Sequence, residues 1–113
     1  MTLEDYFSTG PARERPIFEA VRDHLLTVGP VHVEPVSVGI FLKRSQSFAQ
    51  LRPMTRWVAL SFGLRRELRS TKISRKVIPY GNRYHHVVNL EGPHDVDDDV
   101  REWLTEAYLD SPE

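Results

Sequence analysis

Guanidinium groups dominate what this chain could do chemically. Of its 15 cationic side chains, twelve are arginine, whose planar fork meets a carboxylate or phosphate through two parallel hydrogen bonds. Their distribution is uneven. Residues 43–83 hold eleven cations against Glu67 alone, residues 84–113 hold Arg101 against nine acids, and residues 1–42 hold three arginines against six acids. The net charge of −1 therefore conceals a middle segment at +10 between flanks at −3 and −8. Within the basic middle, Arg52, Arg56, Arg65, Arg66, Arg69, Arg75, Lys76 and Arg83, with Trp57 and His86, form the candidate anion- or partner-binding set. Arginine interleaved with an aromatic ring is the general footprint of nucleic-acid binding. The competing reading is that the basic middle and the acidic tail neutralise each other, within one molecule or between two.

Other chemistry is thinner. His85 and His86 are adjacent in a strand-like stretch, so their rings point to opposite faces and do not readily share a metal. If either handles a proton, the choice lies between these two. His24, His32 and His94 show no ligand spacing. Asp95, Asp97, Asp99 and Glu106 match ligand positions 1, 3, 5 and 12 of a calcium loop, but Val100 stands where that loop needs glycine and no helix leads into it. Acids at a helix N-terminus explain the same residues through free N–H groups and the helix dipole. The chain has no cysteine, which excludes disulfides, thiolate metal sites and thiol nucleophiles. It also lacks a nucleophile elbow, a phosphate-binding loop, a His-Glu-x-x-His helix and a dinucleotide fingerprint. No catalytic residue, metal or cofactor is expected.

The elements that must position these groups follow from periodicity. Residues 3–9 read as a short helical turn ended by Gly10-Pro11. Ile17, Phe18, Val21, Leu25 and Val28 then recur at helical spacing up to Gly29-Pro30. From there the period is two. Strands are expected at about 38–43, 47–52, 57–64, 73–80 and 84–90, with Gly81-Asn82 as a hairpin turn and a further edge segment at 31–34. In the third of these, Val58, Leu60, Phe62 and Leu64 share one face, and Trp57, Ala59, Ser61 and Gly63 share the other. Val96, Val100, Trp103, Leu104 and Ala107 mark a last helix. At 113 residues and 40% apolar composition, one domain over residues 1–113 is expected. The expected fold is α+β: a roughly five-stranded antiparallel meander packed against an N-terminal and a C-terminal helix. No apolar run is long enough to span a membrane and no signal peptide is visible, so a cytoplasmic protein is the simplest reading.

Several stretches together carry a resemblance. Tyr6-Phe7, Phe18-Glu19-Ala20-Val21-Arg22, Ser47-Phe48-Ala49-Gln50-Leu51-Arg52-Pro53, Val58 through Leu64, His85 through Leu90, and Trp103-Leu104-Thr105-Glu106-Ala107-Tyr108 occur in an order that resembles the bacterial family known as domain of unknown function 5655. The resemblance covers about residues 5–110. It implies a compact α+β domain that occurs alone or appended to larger proteins, with no catalytic residues to carry over. The expected function is a non-catalytic module binding an anionic ligand or a protein partner through its basic sheet region. The alternatives are a nucleic-acid-binding accessory domain and a small enzyme using His85 or His86. A homodimer is a further arrangement these charges allow, the basic middle of one chain meeting the acidic helix of another.

Overall fold

A computed structural model describes residues 1–112. Thr2 and Asp5 exchange side-chain and backbone hydrogen bonds in a capping box that starts α1 (Leu3–Phe7), satisfying N–H groups that have no partner inside the helix. Helix α2 (Glu14–Val28) buries Ile17, Phe18, Val21 and Leu25 along one stripe and ends at Gly29. The strands are β1 (His32–Val36), β2 (Gly39–Lys43), β3 (Ser47–Pro53), β4 (Val58–Leu64), β5 (Ile78–Tyr80) and β6 (Arg83–Leu90). A 3-10 turn at Pro93–Asp95 precedes α3 (Asp98–Asp110), capped by Asp97, whose carboxylate accepts from the Val100 N–H.

All strand pairs are antiparallel, in the spatial order β1-β2-β3-β4-β6-β5. This corrects the five-stranded expectation: the segment at 31–34 is a full strand, with Pro35 tolerated because β1 lies at the sheet edge. The last part of the sheet is not a meander either. After β4 the chain runs through residues 65–77 without forming a strand, bridges β6 at Ile73–Val88, forms the three-residue β5, and turns back so that β6 inserts beside β4. The segment at 73–77 carries Ser74, Arg75 and Lys76, too polar to fill a central strand, whereas Val87, Val88 and Leu90 of β6 are buried. Burial places the apolar strand in the middle and the polar one outside.

Helices α2 and α3 pack on one face of the sheet. The core there joins Phe18, Val21 and Leu25 of α2, Trp103 and Leu104 of α3, and Ile40, Leu51, Leu60 and Phe62 of the sheet. Neither long helix covers the opposite face.

A cationic groove on the open face of the sheet

Strand β4 alternates large and small residues. Val58, Leu60, Phe62 and Leu64 fill the core, which leaves Ala59, Ser61 and Gly63 on the open face, because successive side chains of a strand point to opposite sides. Register sets longer side chains beside this low row: Arg52 opposite Ala59 and Gln50 opposite Ser61 on β3, Val87 opposite Ser61 and His85 opposite Gly63 on β6. A row of short side chains between taller neighbours makes a trough along β4. From Ala59 to Gly63 it runs roughly 13 Å at about 3.3 Å per residue.

The trough has two lobes. The first, of about 800 Å³, lies at the Ala59 end between the Met54-Thr55 turn and the segment carrying Arg75, Lys76 and Ile78. The second, of about 490 Å³, lies at the Gly63 end against Gln46, Tyr80, Asn82 and Arg83. Gln50, Ser61 and His85 line both, so the two are continuous. Among the described residues no aspartate or glutamate lines either lobe. Size and concavity fall within the range of small-ligand sites.

The structure divides the basic segment in two. One part is paired, largely with the acidic α3. Arg66 donates twice to Glu106, at 2.8 and 2.9 Å. Lys72 reaches Asp97 at 2.6 Å and Asp99 at 2.8 Å, and these two hydrogen bonds hold its ammonium pKa above the usual lysine range while Asp97 is held below the usual carboxylate range. Arg69 approaches Glu67 at 3.9 Å, and Arg83 donates to the backbone carbonyl of Asp110 at 2.7 Å. In the other part, Arg52, Arg75 and Lys76 are exposed at the first lobe, and their side chains form no ion pair or hydrogen bond among the described residues. Arg56 and Arg65 are also exposed, but they flank the two ends of β4 and line neither lobe.

The two histidines separate as their adjacency in a strand requires. His86 is fully buried, stacked on Phe62 at 5.4 Å, and its Nε2 accepts from the Leu68 N–H at 2.9 Å. That bond fixes the tautomer with the proton on Nδ1, which is buried without a hydrogen-bond partner among the described residues. Desolvation holds its pKa below the ordinary histidine value. His86 is thus a core residue that lines neither lobe. His85 is exposed in the groove, where desolvation and then the Arg75 guanidinium hold its imidazole below the usual range. Trp57 is half-buried with its Nε1 enclosed and without a partner among the described residues, and it does not line the groove.

The structure thus gathers Arg52, Arg75 and Lys76 in one lobe and Arg83 in the other, and leaves Arg56, Trp57, Arg65, Arg66, Arg69 and His86 elsewhere. Gln50 and Ser61 join the site, paired in register and lining both lobes. The small-residue alternation of β4 was the signal for Ser61 in the sequence. The acidic stretch before α3 is otherwise occupied: Asp95 accepts from the Glu91 N–H, and Asp97 and Asp99 hold Lys72. Among the described residues no three His, Cys, Asp or Glu side chains stand together as a metal site, and no helix is long and apolar enough to cross a membrane.

The family model described as "Domain of unknown function (DUF5655)" matches residues 3–111. No curated protein and no solved structure matches the chain.

Proposed function

The chain belongs to this family of unknown function, and we propose that it is a non-catalytic binding module that holds an anionic ligand on the open face of its sheet. The observation that carries this reading is the groove in which, among the described residues, no acid stands and Arg52, Arg75 and Lys76 have no partner, while neighbouring cations are spent on α3. Three positive charges held at one concave surface raise the local concentration of anions, and two guanidinium forks suit phosphate or carboxylate oxygens. A catalytic reading draws less support. Among the described residues no carboxylate lines the groove to fix the tautomer of His85, and such an orienting partner accompanies a histidine acting as general base.

Titration of the 15N-labelled protein with pyrophosphate tests the proposal. The amides of Gln50, Ser61, Arg75 and His85 should shift together along one saturable curve, and the Arg52→Ala/Arg75→Ala/Lys76→Ala variant should lose the response. Shifts centred on Arg56 and Arg65 instead, or no saturable response, would sink it.

A further inference from the structure

The two lobes differ in chemistry, and that difference narrows the ligand. The Ala59 end is a cluster of cations. The Gly63 end offers carboxamides and hydroxyls, Gln46, Asn82 and Ser47, beside the ring of Tyr80. Tyr80 stands opposite Arg83 in the register of β5 and β6 and is 81% exposed. A tyrosine this open on an edge strand gains little from folding, since it buries almost none of its ring. It is a flat apolar surface held at the rim of a basic trough. Ile78, on the same face and 57% exposed, continues the apolar rim toward Arg75 and Lys76.

We infer that the groove takes a short stretch of single-stranded nucleic acid, with phosphates on Arg52, Arg75 and Lys76 and an unstacked base against Tyr80. This rests on the anion-binding reading above and adds the identity of the anion. Charge complementarity favours it over a peptide: one lobe gathers three cations and neither lobe has an acid among the described residues to meet a peptide's own cations. The carboxamides favour it over a bare inorganic anion, because side-chain amides pair with base edges, and these are open only when the strand is unpaired. A duplex is disfavoured by shape. The groove is sunk into the sheet, whereas reading a duplex needs an element that projects into its major groove. Aromatic platforms combined with a basic track are the general means of holding single strands without strong sequence preference.

Fluorescence polarisation with labelled eight-nucleotide single strands, in DNA and RNA forms, tests the inference against the same sequence as a duplex and against pyrophosphate as competitor. The single strand should bind at least tenfold more tightly than the duplex. Tyr80→Ala should weaken the strand about fivefold or more, the lower end of what one stacked base contributes, and leave pyrophosphate binding unchanged. Tyr80→Phe should retain strand binding, because a phenyl ring stacks as well as a phenol. Equal affinity for duplex and single strand, or a Tyr80→Ala variant that binds strands normally, overturns the inference. Pyrophosphate binding without strand binding also overturns it and leaves the anion site standing, whereas loss of both removes the anion site too.

Discussion

His86 shows how one side chain links packing to pH. Its ring is enclosed, stacked on Phe62, and engaged through Nε2 as an acceptor, so the neutral form belongs to the fold. The folded pKa lies below the unfolded one through desolvation. As pH falls beneath the unfolded value near 6.5, the unfolded chain takes up a proton that the fold resists, and stability drops until the folded pKa is passed; above that window the contribution is flat. His24 and His85 are shifted in the same direction, again by desolvation first, and add to the slope. Urea unfolding at pH 7.5 and pH 5.5 should show a lower midpoint at the acid end. In His86→Phe the dependence should shrink by up to one proton, about 1.4 kcal/mol per pH unit, although overall stability falls because the Leu68 N–H loses its acceptor. An unchanged pH slope in that variant would refute the assignment. The sequence placed the two histidines on opposite faces, but it could not say which face was core. That was decided by Phe62, which stands opposite His86 in register, and by a hydrogen bond from Leu68, eighteen residues away.

At the scale of elements, the helices and most strands were legible because each buries one face and so shows its period. Of the apolar positions that periodicity marks, Ile17, Phe18, Val21 and Leu25 of α2, Val58, Leu60, Phe62 and Leu64 of β4, and Val100, Trp103, Leu104 and Ala107 of α3 are buried, and Val28 is half-buried. The exchange of β5 and β6 was not legible, since strand order depends on which segment gains more from a central place, a comparison across the chain rather than within it. Docking of α2 against α3 depends on a similar long-range detail. Tyr108 donates to the Pro30 carbonyl at 2.8 Å, and a Cβ on Gly29 would overlap its hydroxyl and sit 3.0 Å from its Cζ. Gly29→Ala should therefore destabilise by about 1–3 kcal/mol, the usual cost of overpacking, measured by thermal or urea unfolding. The cost should be smaller in a Tyr108→Phe background, where the overlapping oxygen is gone. Equal costs in both backgrounds would show that the close approach is not what requires glycine. The trough is also a property of an element. Ser61→Leu on β4 adds bulk to its floor without touching any charge, so it should weaken pyrophosphate binding at least tenfold with little change in stability, read by titration beside unfolding.

For the whole molecule, the segregated charge proves to be two arrangements laid side by side. Lys72 and Arg66 bind α3, and such exposed pairs contribute little stability; their main effect is to neutralise the acidic helix where it faces the connection from β4. Sequence order alone could not separate Arg66 and Arg69 from Arg75 and Lys76, because all four lie in one connection and differ only in whether an acid stands within reach in the fold. What remains after this pairing is a local excess of positive charge on a molecule whose total is −1, so binding of an anion there should respond to salt through the groove cations rather than through net charge. A single strand lying on Arg52, Arg75 and Lys76 displaces counterions from three phosphates. The logarithm of its affinity should then fall against the logarithm of salt concentration with a slope of about −2, from about 0.7 per phosphate. Removing one cation, as in Lys76→Ala, should reduce the slope by about 0.7, whereas Arg56→Ala, outside the groove, should leave it unchanged. A slope well beyond −2, or one equally sensitive to Arg56, would mean that the anion spreads over the whole basic surface, and that the pairing with α3 does not confine it to the groove.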